Sequence, residues 1–216
     1  MKRLTIGIAA LAALTISTAS CATWSRKGQG AAVGAGVGAA VGGVIGNQTG
    51  STARGAIIGA VVGGTAGAVI GHQMDQQAKE IRMAIPGATV ERVGEGIQVT
   101  FASGLMFDID SDRIRPEAAT NLRNLASSLK QYGNTDALIV GHTDATGSDS
   151  YNATLSQQRA SAASSFMTRE GVASSRLRTS GRGEAEPVAT NDTEYGRQQN
   201  RRIEIAIVAS ASARRQ

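Results

Sequence analysis

Glycine falls at positions 30, 34, 38, 42, 46 and 50, and again at 55, 59, 63, 67 and 71. No other feature of this 216-residue chain restricts its fold as tightly. On a helix a step of four turns about 400°, so each series forms one slowly drifting stripe. A glycine inside a helix costs about 1 kcal/mol against alanine, so the stripe needs a return, and close approach of another backbone supplies it. A loose Gly/Ala tether is the alternative, but such tethers keep no register and hold little apolar bulk. Here Val33, Val37, Val41, Val44, Ile45, Ile57, Ile58, Val61, Val62, Val69 and Ile70 fill the gaps. Two runs of roughly 25 Å each, separated by the polar stretch Asn47 to Arg54, predict an antiparallel helical hairpin over 30–71. The hairpin either inserts in a membrane or self-associates into a homo-oligomer. Each run is short for an independent span, although a tilted or thinned bilayer accommodates it.

The chain opens on Met1-Lys2-Arg3, an apolar run from Leu4 to Ile16, and the small residues Ser17 to Ser20. That is a secretory signal over 1–20, because a spanning helix needs roughly 20 apolar residues. Ala19-Ser20-Cys21 resembles the end of a lipobox, with Thr18 where a large apolar residue is usual. The resemblance implies a lipid on the Cys21 thiol and an acylated new amine, a firm anchor given about 0.8 kcal/mol per buried methylene. Ordinary cleavage after Ala19 is the alternative. Ala22, rather than Asp, follows the cysteine, which by resemblance to enterobacterial sorting favours the outer membrane. Residues 21–29 then read as a lipidated linker, and the glycine series resembles the glycine zipper of envelope lipoproteins.

The formal charge is +5, yet from Ala88 onward fifteen bases meet fifteen acids. The excess lies wholly before that point, so the folded part lacks the basic footprint of a nucleic-acid binder. One cysteine rules out an intramolecular disulfide framework, and with two distant histidines it leaves no zinc cluster.

A helix is predicted from His72 to Ile85 on the recurrence of Met74, Ala78, Ile81 and Ile85, making 72–87 a connector that Pro86-Gly87 ends. Beyond it, Thr89 to Val93 and Ile97 to Phe101 flank Gly94-Glu95-Gly96 as a β-hairpin. Pro116 opens a helix with the stripe Ala118, Leu122, Leu125 and Leu129. Ala137 to Val140 reads as a buried strand, Ser150 to Glu170 as a second helix, Arg178 to Ser180 as an edge strand, and Ile203 to Ile207 as the last strand. The expectation is an α+β domain over 88–208, a mixed sheet with helices on one face, followed by a polar tail over 209–216.

The second helix carries an oddity. Arg159 falls four after Leu155 and three before Ala162, on or beside the inward stripe. A buried guanidinium needs an acceptor, and Asp144 after the Ile139-Val140 strand is the nearest candidate.

These segments carry a resemblance. Gly141-His142-Thr143-Asp144, Gly147, Asn152, Leu155-Ser156-Gln157-Gln158-Arg159-Ala160 and Asn200-Arg201-Arg202-Ile203-Glu204-Ile205 resemble the OmpA-like C-terminal domain, as does Phe107-Asp108. The resemblance implies non-covalent binding of peptidoglycan through meso-diaminopimelate, whose end bears an ammonium and a carboxylate on one carbon. It assigns Asp144 to the ammonium and Arg159 to the carboxylate, where a planar fork binds both oxygens. Asp108, Thr143, Asn152 and Arg202 match positions lining the same pocket, with Arg201 an equal candidate for the last.

The implied protein is an outer-membrane lipoprotein that tethers the envelope to the wall, its C-terminal domain in the periplasm. An assembly or stress factor acting through the hairpin is the alternative. No enzyme, cofactor or metal is expected: His142 has neither a Cys nucleophile nor zinc partners nearby, and Ser150 and Ser156 lack a base. A flagellar-stator relative would need a long apolar helix with a proton-carrying carboxylate, whereas 30–71 holds Arg54 and no acid.

Overall fold

The computed structural model describes residues 50–62, 68–108 and 110–215. The signal segment, Cys21 and the first glycine run lie outside the described residues. In chain order the helices and strands are α1 (Thr52–Val62), α2 (Ala68–Ala84), β1 (Thr89–Val93), β2 (Gly96–Ala102), α3 (Ser103–Met106), α4 (Pro116–Gln131), β3 (Thr135–Gly141), α5 (Asp149–Arg169), β4 (Leu177–Gly181), α6 (Glu194–Asn200) and β5 (Arg202–Ala209). The sheet runs β1-β2-β5-β3-β4. Only β3 and β4 pair in parallel, through α5, and β5 inserts antiparallel between β2 and β3.

Alternation along the strands sets the layers. Ile97, Val99 and Phe101 of β2, Ala137 and Ile139 of β3, and Ile203, Ile205 and Ile207 of β5 face one core. Against them pack Met74, Ala78 and Ile81 of α2, Leu122, Leu125 and Leu129 of α4, and Ala160, Ala163 and Met167 of α5. Pro116 begins α4 with the fixed φ a first helical position wants. The Ser148 hydroxyl caps α5 by accepting from the Tyr151 N–H, and Gly171 at φ +96° lets the chain leave it.

The sheet with its long helices α4 and α5 on one face forms the expected α+β unit, and α2 packs into the same core. The other face is covered from outside that unit. Ala53 and Ile57 of α1 are wholly buried against Val140, Ala206 and Val208, with Val93 and Leu138 at the margin. Gly96 makes this seat possible: a Cβ there would stand 2.5 Å from the Ile57 Cγ2 and 2.8 Å from the Ile207 carbonyl oxygen. Arg54 fastens the helix from the side, donating to Gln98 Oε1 at 2.9 Å and pairing with Glu91 at 2.7 Å. Of the expected hairpin, residues 30–49 and 63–67 lie outside the described residues. Gly71 belongs to α2, the helix the sequence places from His72. Among the described residues no helix is long and apolar enough to cross a membrane.

Candidate functional site

The site gathers where β3 and β4 end against α5. Glycine lets the strands approach the helix backbone there. A Cβ on Gly141 would lie 2.1 Å from the Ser156 carbonyl oxygen, and one on Gly181 would lie 2.5 Å from the Gln157 nitrogen. The helix then serves the strand ends directly. Ser156 Oγ accepts from the Gly183 N–H at 2.9 Å, and Gln157 Oε1 accepts from the Gly181 N–H at 2.7 Å. These contacts fix the orientation of Arg159 one turn later.

Asp144 sits just past β3 and is 6% exposed. Its Oδ1 accepts the Thr146 N–H at 2.9 Å, and its Oδ2 takes Arg201 Nη1 at 2.5 Å. Burial pushes the carboxyl up, but the Arg201 hydrogen bond and the Thr146 N–H pull harder and leave it below the ordinary value. Asn152 holds the loop from the helix side, donating to the Thr146 carbonyl at 3.1 Å and to Glu184 at 2.7 Å. Thr143 donates its N–H to the Gly183 carbonyl, while its buried hydroxyl has no partner among the described residues.

Arg159 is 5% exposed and does not pair with Asp144, contrary to the sequence expectation. Its Nε donates to the Ser111 carbonyl at 2.9 Å and its Nη2 to the Asp108 carbonyl at 3.3 Å. The guanidinium also lies 5.4 Å over the Phe107 ring. It therefore gathers the turn around Asp110, whose φ of +52° is uncommon for a residue with a side chain. Asp108 contributes that carbonyl rather than its carboxylate, which is largely exposed and 3.7 Å from Arg115. Burial pulls Arg159 below the ordinary guanidinium value, Tyr151 and Asp110 oppose this, and the nearby Arg201 charge reinforces it. A second arginine takes the Asp144 carboxylate instead.

That arginine is Arg201. Its Nη2 also meets Glu194 at 2.5 Å, and Glu194 in turn holds Arg197 at 2.9 Å. Burial pulls Arg201 down, but hydrogen bonds to Glu194 and Asp144 outweigh it and hold the guanidinium above its ordinary value. Arg202 is a correction. The sequence reading placed it in the pocket with Arg201 as an equal candidate, but it is 3% exposed on the opposite side of β5, donating to Glu204 at 2.7 Å and to the Glu186 carbonyl at 3.1 Å. Neighbours at the start of a strand point to opposite faces, so only one of the two arginines faces Asp144.

Sequence reasoning missed three supporting residues. Glu194 completes the charge chain. Asn200 accepts from the Val188 and Ala189 N–H groups, and its side-chain amide donates to Asn191, which accepts from the Ala145 N–H at 3.2 Å. Asn200 stood inside the matched motif, so its position was visible though its job was not. Glu194 and Asn191 had no local signal. The arrangement therefore presents a buried carboxylate held by Arg201, with the Arg159 guanidinium near enough to Arg201 to feel its charge and its Nη1 taking no hydrogen bond among the described residues.

Comparison with known proteins bears on the family. The OmpA family model matches residues 106–201, the stretch that holds Asp108, Thr143, Asp144, Asn152, Arg159 and Arg201. The peptidoglycan-associated lipoprotein of Mesorhizobium japonicum is 36% identical over 58% of this chain and 75% of its own length. The chain belongs to the OmpA family. A second family model, the YMGG-like Gly-zipper, matches residues 1–75. The Escherichia coli K12 protein named probable lipoprotein YiaD is 39% identical to this OmpA-family chain, covering 63% of each. The chain thus spans just under two thirds of that relative's length. Among solved structures, the cell wall anchor of the T6SS from Pseudomonas aeruginosa has a TM-score of 0.54 at 30% identity, covering 63% of this chain and 97% of that one.

Proposed function

We propose that this OmpA-family chain is an outer-membrane lipoprotein that binds peptidoglycan non-covalently through meso-diaminopimelate and ties the envelope to the wall. One observation carries the reading. Asp144 and Arg159 are both buried and both keep bonding capacity, whereas buried charges are normally spent on one another. A ligand carbon bearing both an ammonium and a carboxylate completes both groups at once. Asp144 takes the ammonium on a lone pair not used by Thr146. Arg159 offers its open Nη1 to the carboxylate, with Arg201 beside it as a second donor. The Thr143 hydroxyl supplies a neutral partner, and Asn152 keeps the loop in place. The relative named peptidoglycan-associated lipoprotein and the structure named a cell wall anchor support the substrate class.

Two variants test the pocket. Arg159→Ala loses sedimentation with diaminopimelate-type sacculi, but it also frees two carbonyls and costs about 1.5–3 kcal/mol in stability. Asp144→Asn is the cleaner test, since its side-chain oxygen still accepts the Thr146 N–H. It is expected to stay folded and to bind a meso-diaminopimelate muropeptide at least about tenfold more weakly. Wild-type affinity in folded Asp144→Asn overturns the reading. The anchor is tested separately: Cys21→Ser fails to incorporate labelled palmitate and leaves the outer-membrane fraction. Retention of both label and fractionation would remove Cys21 from the account.

A further inference from the structure

A second charged cluster lies on the opposite side of β5, beneath α1, and the pocket makes no use of it. Glu186 and Glu204 are 8% and 2% exposed, and the start of α1 serves both. The Thr52 N–H donates to Glu186 Oε2 at 2.9 Å, and its hydroxyl to Glu186 Oε1 at 2.5 Å. The Ser51 hydroxyl donates to Glu204 Oε2 at 2.7 Å. Arginines meet the same carboxylates: Arg182 shares Glu186 Oε1 with the Thr52 hydroxyl at 2.8 Å, and Arg202 reaches Glu204 Oε1 at 2.7 Å. Two carboxylates and two guanidiniums balance, and His142, 1% exposed, stands between the acids. Its Nδ1 is 3.9 Å from Glu186 Oε2 and its Nε2 is 3.8 Å from Glu204 Oε2. Those are the same two oxygens that the Thr52 N–H and the Ser51 hydroxyl occupy.

Arg202 joins this cluster to the pocket. Besides Glu204 it holds the carbonyls of Glu186 and Asn200, and its own carbonyl accepts the His142 N–H at 2.9 Å. The residue before it is Arg201, on Asp144. The residue after His142 is Thr143, then Asp144. Two stretches of backbone thus carry the α1 cluster on one side and the ligand groups on the other. We propose that Ser51 and Thr52 are positioning residues for the peptidoglycan site, acting through Glu186, Glu204 and Arg202 to set the placement of Arg201 against Asp144. This rests on the reading of that pocket given above. It makes the start of α1, outside the pocket itself, a part of the wall-binding machinery.

The test uses the full-length chain and a meso-diaminopimelate muropeptide as probe. Wild type, Thr52→Ser and the double variant Ser51→Ala/Thr52→Ala are compared by titration calorimetry, by hydrogen exchange of the α1 amides, and by NMR of the His142 ring across pH. The double variant is expected to bind about fivefold or more weakly, with faster α1 exchange and a His142 ring that takes up its proton at higher pH. Thr52→Ser, which keeps both donors, is expected to match wild type, which a mere loss of packing would not require. Wild-type affinity in the double variant overturns the proposal, whether α1 has loosened or stayed docked. Failure of the wild-type chain itself to bind the muropeptide overturns instead the pocket reading, and this inference with it.

Discussion

His142 shows how a single buried ring sets a pH limit. Neither ring nitrogen has a hydrogen-bond partner among the described residues. Burial pushes it well below 6.5, and the charges of Arg202 and Arg182 push the same way. The unfolded chain accepts that proton near the ordinary histidine value, whereas the folded chain refuses it. Stability tied to this residue is therefore whole above about pH 6.5 and drains as pH falls, by at most about 1.4 kcal/mol per pH unit. The melting temperature should drop between pH 7 and pH 5, and His142→Gln should shed one proton's worth of that slope. An unchanged slope in the variant would refute the assignment. Arg159 gives a second check at this scale. Arg159→Lys keeps the charge but not the fork, and an ammonium cannot serve both the Ser111 and Asp108 carbonyls while reaching a ligand. Sacculus binding should fall in that variant although the charge is retained, as a co-sedimentation assay would read.

At the scale of elements, α1 decides more than its length suggests. The stripe of small residues was legible as a demand for close backbone approach. What Ala53 and Ile57 of α1 pack on, a sheet face presenting Val140, Ala206 and Val208, was not legible, because no local pattern names a partner so far along the chain. Ala53 and Ile57, one turn apart, face that sheet together. Gly96 is the counterpart, and the pair can be tested by a double-mutant cycle. Gly96→Ala overpacks the seat and should cost about 1–3 kcal/mol. Ile57→Ala leaves a cavity and should cost about 2–4 kcal/mol. The two together should cost less than their sum, because the new methyl enters the space the isoleucine vacates. Strict additivity in denaturant melts would mean that Ile57 does not pack on Gly96.

Across the whole molecule, one strand organises both polar clusters. At the entry to β5, Arg201 on Asp144 and Arg202 on Glu204 stand side by side in the chain and face opposite sides of the sheet. A ligand that binds only the folded chain raises its stability by mass action, about 2.7 kcal/mol at a hundred times Kd. A meso-diaminopimelate muropeptide should therefore lift the melting temperature in a concentration-dependent way. A lysine-type muropeptide, lacking the side-chain carboxylate, should lift it much less. Equal shifts from the two would show that the arginines do not read that carboxylate.

The periodicities alone determined the α4 stripe, the β1–β2 hairpin, the buried β3 and β5 strands and the long helix that carries Arg159, because burial acts on spacing that the chain displays locally. Which arginine Asp144 holds, which face Arg202 takes, and what α1 packs against were settled only in three dimensions. Each depends on sheet register and on competition among groups far apart in the chain, such as Ser51 and Glu204, whose proximity no local pattern encodes.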